Sequence, residues 1–258
     1  MDDHTTAHIR TERRGHTLLI TVDRPEARNA FDRETAVQME AAMDLLDGDA
    51  ALRSAVITGA NGTFSAGADL KAAARGERPA TRRRGGFGVF AVPAGKPLIA
   101  AVEGHAVAGG FELALACDLV VAAEDARMGL PEVRHNLVAI GGALFRLPQR
   151  MPYHLAMELA LTAEPRPAAY FHQWGIVNHV VAPGTAVEKA LALAARIGEN
   201  GPLAVAASAR IMRRAADWTE EQAWREQMAV ATPAMRSSDT AEGLRAFAEK
   251  RPPLWRGV

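Results

Sequence analysis

The chain has 258 residues, 48% of them hydrophobic, which is enough to build the core of one large α/β domain. Its 30 basic and 30 acidic side chains give a formal net charge of zero, so no global charge favours nucleic acid or an acidic membrane surface as a partner. The single cysteine, Cys117, excludes an intrachain disulfide and favours a reducing, cytoplasmic location. Residues 1–6 lack the pattern of a secretory signal, and no apolar stretch approaches the length of a membrane span.

Strands and helices are predicted to alternate in the first part of the chain. Residues 16–22 are rich in β-branched side chains and predict a strand, which ends before Pro25. Asp32 is expected to cap a helix, because apolar residues from Ala36 to Leu46 follow at helical spacing. Further strands are predicted over 52–58, 98–102 and 119–123, and further helices near residue 69 and over 111–117.

A loop interrupts the first part of the chain, and the character of the sequence changes beyond Gly141. Residues 75–88 mix glycine, proline and charged side chains, and predict a mobile loop. The alternation of strands and helices predicts an α/β core over residues 1–195 with right-handed crossovers, followed by a helical region over 196–258. Beyond Gly141, helices are predicted over 153–161, 186–197, 203–215, 220–231 and 240–250, with one strand over 176–181.

A glutamate follows a pair of glycines at one predicted helix start. Gly109 and Gly110 allow the backbone to approach a ligand closely, and Glu112 lies in the first turn. The unpaired N–H groups and partial positive charge of a helix start can stabilise an oxyanion. An ordinary glycine turn, in which Glu112 only complements the helix dipole, fits the same residues, so this motif is not specific by itself.

Two other segments carry the same ambiguity. Residues 64–71 pass from a loop into a helix and place the N–H of Ala68 near its start, although a small-residue turn would look similar. Pro131 fixes the backbone before Glu132, which also fits an exposed glutamate at a helix start. The three segments together are much more specific than any one of them.

These segments, with further runs along nearly the whole chain, resemble the crotonase (enoyl-CoA hydratase/isomerase) superfamily. So many matches in the same order are not expected by chance. The matching runs are residues 23–25, 29–30, 57–59, 64–70, 96–104, 109–114, 117–118, 130–132, 141–142, 161–162, 174–177 and 247–251.

The resemblance implies a fold, a site and an assembly. The fold implied is α/β, a crotonase (ClpP-like) spiral of ββα units, with the acyl-CoA site in residues 1–195 and a trimerisation region of helices over 196–258. The N–H groups of Ala68 and Gly109 are implied to bind the thioester oxygen as it becomes enolate-like. No cofactor is implied, because coenzyme A is part of the substrate, and the implied assembly is a homotrimer or a dimer of trimers. The residues expected to contact the acyl-CoA are Arg28, Ala66, Asp69, Leu70, Lys71, Phe247 and Lys250.

Members of this fold perform several reactions, and the carboxylates discriminate among them. Hydration needs a base to activate water and an acid to protonate the α-carbon. Hydratases of the family have one glutamate in the glycine motif and a second twenty residues later, and Glu112 and Glu132 have that separation. The resemblance therefore implies an enoyl-CoA hydratase that adds water reversibly and syn to a 2-enoyl-CoA. Glu132 would protonate the α-carbon, and Glu112 would help to activate the water.

Other functions remain open from the sequence. A carnitinyl-CoA-type dehydratase, an enoyl-CoA isomerase and a non-catalytic acyl-CoA-binding protein would share the fold. A glycosidase also uses two carboxylates, but aromatic residues form only 5% of this chain and offer few surfaces for sugar stacking. His135, Asn136 and residues 139–143 depart from the family pattern beside Glu132, although Asn136 can still adopt a left-handed backbone.

The remaining reactive or charged residues have simpler interpretations. The histidines are scattered without the spacing of a metal motif, so no metal site is predicted. Cys117 is predicted to be a small buried apolar residue. The arginines over 82–84 are predicted to lie in a solvated loop, with binding to CoA phosphates as the alternative.

Overall fold

A computed structural model describes residues 7–258; the N-terminal segment considered above, residues 1–6, lies outside this range. Strands and helices are numbered separately in chain order. The strands are β1 Ile9–Arg14, β2 Thr17–Val22, β3 Ser54–Gly59, β4 Ala80–Thr81, β5 Gly85–Gly86, β6 Leu98–Val102, β7 His105–Val107, β8 Leu119–Ala123, β9 Arg127–Gly129, β10 Arg166–Pro167 and β11 His179–Val181. The helices are α1 Arg33–Gly48, α2 Leu70–Ala74, α3 Gly109–Ala116, α4 Ala143–Arg150, α5 Tyr153–Thr162, α6 Ala168–Gln173, α7 Ala186–Gly198, α8 Pro202–Arg214, α9 Glu220–Met235 and α10 Ser238–Glu249.

A six-stranded sheet in the order β1-β2-β3-β6-β8-β11 forms the centre of the protein. β1 pairs antiparallel with β2, and the other neighbouring strands of this sheet pair in parallel. A three-stranded sheet has the order β10-β9-β7, and it contains the strands that follow β6 and β8 along the chain. The chain therefore moves repeatedly from the large sheet to the smaller one.

Both faces of the large sheet are covered. Leu18 and Ile20 of β2 pack in the larger hydrophobic cluster, which includes Met39 and Met43 of α1. Leu19, between them, packs in a second cluster with α7. Burial on both faces explains why the central strands are almost uniformly apolar in sequence.

Most predicted elements are confirmed, and several were missed. β2, β3, β6 and β8 lie where strands are predicted, and Asp32 caps α1 by accepting a hydrogen bond from the N–H of Thr35 at 2.8 Å. The predicted strand over 176–181 is reduced to β11. Sequence patterns missed β1, the short strands β4, β5, β7, β9 and β10, and the helices α4 and α6. β1 is an edge strand with five of its six residues exposed, so it shows no apolar alternation.

The segment over 75–88 is predicted to be a mobile loop with solvated arginines over 82–84; Arg82 and Arg83 are exposed, but Arg84 is buried and attached to α1. Arg84 is 5% exposed and donates hydrogen bonds to Asp44 and Asp47, each at 2.8 Å. Arg83 also pairs with Asp44. The acidic partners lie on a different element, so local composition does not reveal them. Because the Arg84 guanidinium is buried and paired, it is not free to bind CoA phosphates.

Arg213 joins the helical end of the chain to the core, and Trp255 makes a hydrogen bond within the helical end itself. Arg213 of α8 donates to Asp118 and to the carbonyl of Ala94, each at 2.6 Å. Near the C-terminus, the indole N–H of Trp255 donates to the carbonyl of Glu199 at 2.8 Å. The predicted boundary after residue 195 lies within α7, close to the end of that helix.

Candidate active site

Glu112 is held between two helix starts. It lies in the first turn of α3 and is only 4% exposed. Its Oε1 accepts a hydrogen bond from the N–H of Ala143, the first residue of α4, at 3.1 Å. Burial raises the pKa of Glu112, and the N–H of Ala143 is the strongest group that opposes this rise. The side chain therefore does more than complement the dipole of α3, because it also binds a second helix.

Gly141 sets how closely the backbone approaches this carboxylate. A Cβ at Gly141 would lie 2.6 Å from Oε2 of Glu112 and 2.5 Å from the ring of Phe90. Arg146 fixes the same loop, because it donates to the carbonyl of Gly141 at 2.9 Å and to that of Phe90 at 3.1 Å. The segment that departs from the family pattern thus keeps the glycine that contacts Glu112.

Glu132 comes from a separate loop. It begins a 3₁₀ turn, Glu132–His135, directly after Pro131, and this turn ends at Asn136 in the left-handed conformation that the sequence allows (φ 54°). The Oε2 atom of Glu132 is buried and has no hydrogen-bond partner in the part of the chain that the structure describes. Burial raises the pKa of Glu132 to about 7; its own backbone N–H opposes the rise, and the charge of Glu112 adds to it. The two carboxylates are therefore close enough to interact.

The raised pKa of Glu132 predicts a pH limit on hydration near pH 7. The resemblance implies that Glu132 donates a proton to the α-carbon; the carboxyl keeps this proton below about pH 7 and loses it as the pH rises. We expect kcat/KM for hydration of a 2-enoyl-CoA to fall above about pH 7. Hydration releases or consumes no net proton, so its equilibrium constant does not depend on pH. For this reason kcat/KM for dehydration should fall over the same pH range. Initial rates from about pH 5 to about pH 9 measure this limb. A flat profile, or the same limb in the residual activity of Glu132→Gln, would contradict this prediction.

Two backbone N–H groups lie beside each other without protein partners. An isolated β-bridge pairs Phe31 with Ala68 and fixes the backbone around Ala68. In this bridge the N–H of Phe31 donates to the carbonyl of Gly67, and the N–H of Asp69 donates to the carbonyl of Phe31, each at 2.8 Å. Within residues 7–258, the N–H groups of Ala68 and Gly109 donate to no other group. Gly67 brings the two together: a Cβ there would lie 2.9 Å from the nitrogen of Gly109. Such a pair of free donors is the arrangement of an oxyanion hole.

The predicted acyl-CoA contacts fall into two groups, and the first lies beside Ala68. Ala66 donates its N–H to the carbonyl of Arg28 at 3.0 Å, and both Arg28 and Lys71 have exposed side chains. Leu70 is 55% exposed at the start of α2. Asp69, in contrast, uses its carboxylate to cap α2, where it accepts a hydrogen bond from the N–H of Lys71 at 2.9 Å. The same carboxylate forms an ion pair with Arg24.

The second group is on α10. Phe247 is 86% exposed, and Lys250 ends the helix in a left-handed conformation (φ 53°). No hydrogen bond or ion pair in the described range joins either residue to Glu112 or Glu132. A role for these two residues in acyl-CoA binding remains a prediction.

Several residues around the site have no signal in the sequence. Phe87 stacks on Phe31 with ring centroids 4.1 Å apart and on Phe90 at 4.8 Å. A Cβ at Gly109 would lie 2.5 Å from the Phe87 ring, so this aromatic stack borders the free N–H pair. Arg24 belongs to the run over 23–25 that resembles the family, but the sequence assigns no role to its side chain. The contacts of these residues depend on segments far apart in the chain, which local patterns do not encode.

One large cavity lies away from the two glutamates. It has a volume of about 610 Å³ between α8 and the core, and it is lined by Cys117, Arg150 and Met212 among others but by neither glutamate. Cys117 is fully buried, as predicted, and burial keeps its thiol protonated by raising its pKa. Among residues 7–258, no group of three potential ligands is placed to hold a metal ion. None of the helices within residues 7–258 combines the length and the hydrophobicity of a membrane span.

Comparison with known proteins gives the same family as the residues do. The enoyl-CoA hydratase/isomerase family matches residues 12–258. Enoyl-CoA hydratase EchA19 of Mycobacterium tuberculosis is 43% identical over 249 residues, covering 94% of each chain. A carnitinyl-CoA dehydratase of Salmonella arizonae is 42% identical, covering 96% of this chain and 98% of its own. The crystal structure of an enoyl-CoA hydratase from M. tuberculosis H37Rv superposes with a TM-score of 0.94 and 50% identity, covering 97% of this chain and 99% of that one. The chain therefore has the crotonase fold and belongs to the enoyl-CoA hydratase/isomerase family of the crotonase superfamily.

Proposed function

We propose that this protein is an enoyl-CoA hydratase, which adds water reversibly to the double bond of a 2-enoyl-CoA thioester. The observation that carries the proposal is the presence of two carboxylates that interact: Glu112, which is buried, and Glu132, which is half-buried with an unpartnered Oε2 atom. The free N–H groups of Ala68 and Gly109 supply the matching site for an oxyanion. The high identity to a hydratase over most of the chain supports the same reaction.

In the proposed mechanism the site moves two protons. The water oxygen bonds to the β-carbon while a proton of the water passes to the Glu112 carboxylate. The π electrons move toward the thioester oxygen, where the N–H groups of Ala68 and Gly109 stabilise the negative charge. The electrons then form the α-carbon–hydrogen bond with the proton of Glu132. Transfer of a proton from Glu112 to Glu132 restores the starting state, so the enzyme is unchanged.

A substrate screen tests this function. The loss of ultraviolet absorption by the conjugated thioester reports hydration, and short, medium and branched 2-enoyl-CoAs cover the range of acyl groups. We expect turnover of at least one substrate, without added metal or redox cofactor. No absorption loss with any of them, while CoA thioesters still bind, would show that the protein is not a hydratase.

Dehydration of carnitinyl-CoA is a second candidate, since several relatives of similar identity are carnitinyl-CoA dehydratases. Carnitinyl-CoA carries a quaternary ammonium next to the reacting carbons, so it tests acyl recognition with the same chemistry. Appearance of the conjugated thioester absorption from carnitinyl-CoA, faster than from a 3-hydroxyacyl-CoA without the ammonium, would favour this substrate.

We also propose that the protein assembles as a homotrimer or a dimer of trimers. Large apolar side chains are exposed along the helical end of the chain, and an assembly would cover them. Light scattering at micromolar protein concentration should give the mass of three or six chains, whereas a monomer would contradict the proposal. The exposed residues are Met212, Trp224, Met228, Met235, Leu244 and Phe247.

A further inference from the structure

Arg24 lies directly behind the proposed oxyanion donor Ala68. Its side chain is 11% exposed, and its Nη2 atom reaches both Asp32 at 3.0 Å and Asp69 at 3.2 Å. Its Nη1 atom donates to the carbonyl of Ala30 at 2.6 Å. One guanidinium thus joins two carboxylates from segments that are far apart in the chain.

Each of these aspartates also caps a helix. Asp32 uses Oδ1 to accept from Thr35 N–H at 2.8 Å and leaves Oδ2 for Arg24. Asp69 likewise uses Oδ1 for the N–H groups at the start of α2 and Oδ2 for Arg24. Burial by itself raises the pKa of Asp69, but the hydrogen bonds from Ala72 N–H, from Arg24 and from Lys71 N–H outweigh it and lower the pKa overall. Both oxygens of each carboxylate therefore have defined partners.

The two aspartates flank the bridge that carries the oxyanion donor. Asp32 follows Phe31 and Asp69 follows Ala68, and Phe31 and Ala68 are the bridged pair. The N–H of Asp69 donates to the carbonyl of Phe31 at 2.8 Å, in line with the bridge. If Arg24 were lost, two negative carboxylates would remain close together behind this bridge without a shared counter-ion.

We infer that Arg24 is a positioning residue, which sets the direction of the Ala68 N–H by holding Asp32 and Asp69 together behind the Phe31–Ala68 bridge. This inference rests on the proposed hydratase function for its effect on rate. An oxyanion donor stabilises the transition state only when its N–H points at the oxygen on which negative charge develops. A small displacement of the N–H therefore weakens this hydrogen bond in the transition state more than in the ground state. A lysine offers one nitrogen where Arg24 has two, so it cannot occupy both the Nη2 position between the carboxylates and the Nη1 position at the Ala30 carbonyl.

The test compares Arg24→Lys with the matched control Arg213→Lys. Arg213 also joins a carboxylate, Asp118, to backbone carbonyls, but it lies on α8 away from the two glutamates. Arg24→Lys should lower kcat for hydration by about 10-fold to 100-fold with little change in KM. Arg213→Lys should leave kcat unchanged even if it lowers the thermal midpoint as much. If Arg24→Lys does not fold, Asp69→Asn takes its place, since asparagine keeps a helix-capping oxygen but loses the charge that binds Arg24.

A spectroscopic signal separates positioning from stability. Bound 2,4-hexadienoyl-CoA absorbs at longer wavelength when hydrogen bonds polarise its thioester carbonyl. The size of this red shift therefore reports how well the N–H groups of Ala68 and Gly109 are directed at the carbonyl oxygen. We expect the shift to shrink in Arg24→Lys or Asp69→Asn and to stay unchanged in Arg213→Lys. An unchanged shift and kcat in Arg24→Lys would overturn the inference. A wild-type red shift without hydration of any substrate would overturn only the hydratase function, while no wild-type shift would overturn the donor role of Ala68 and this inference with it.

Discussion

Replacing Glu132 with glutamine should lower kcat for hydration by about 10²–10⁴-fold, and replacing Glu112 with glutamine should have an effect of similar size. Glutamine keeps the shape and a hydrogen-bonding oxygen of each side chain but cannot transfer a proton. Oε1 of Glu112 accepts from Ala143 N–H at 3.1 Å, and a glutamine oxygen can keep this contact. Steady-state kinetics with the best substrate of the screen measure both variants.

The double variant should lose less activity than the product of the two single losses, because the two carboxylates act as a unit on one water and one α-carbon. CoA thioester affinity should survive in all three variants, since the proposed binding of the thioester oxygen uses backbone N–H groups. Glu103→Gln is a suitable control: Glu103 is a carboxylate that accepts two backbone N–H bonds, from Gly184 at 3.0 Å and Ala186 at 2.9 Å. Near-normal hydration by Glu132→Gln would make that carboxylate structural and rule out the two-glutamate mechanism.

Replacing Gly67 with alanine should lower kcat by about 10²–10³-fold, the usual cost of losing an oxyanion donor. Gly67 lies between the two donor residues and has a left-handed backbone (φ +96°). A Cβ at this position would lie 2.9 Å from both the Gly109 nitrogen and the Ala108 Cβ, so the helix start of α3 would have to move away from Ala68. Because the donors act mainly on the transition state, kcat should fall more than KM rises.

A second glycine gives a control that separates backbone strain from the clash. Gly184 has a similar backbone (φ +81°), and a Cβ there would meet no atom within 4 Å. Gly184→Ala should lower stability by about 1 kcal/mol through strain while leaving kcat unchanged. Thermal unfolding and kinetics of both variants make the comparison. Equal losses of kcat in the two variants would show that the proximity of Gly67 to Gly109 has no role in catalysis.

The candidate site was predictable from the sequence to the level of residue types and spacing. Glu112 in its glycine motif and Glu132 after its proline each lie at the start of a helical turn, as predicted, while their catalytic roles remain predictions. The left-handed conformation of Asn136 was also predictable, because asparagine tolerates it. Arg84 was misjudged, since its charge suggested solvent and its acidic partners lie on α1, some forty positions earlier in the chain.

By itself, the sequence determined the features that depend on neighbouring residues: the apolar strands, the helix caps such as Asp32, and the turns that introduce each glutamate. These follow from local hydrogen bonding and from the periodicity of apolar side chains. Only the tertiary structure decided which groups meet. The partner of Glu112 lies 31 positions away at Ala143, and Arg24 meets Asp69 across 45 positions. The raised pKa of Glu132 likewise comes from burial, which is a property of packing. Proton transfer and oxyanion binding depend on such non-local distances, so the chemistry of the site becomes visible only once the chain is folded.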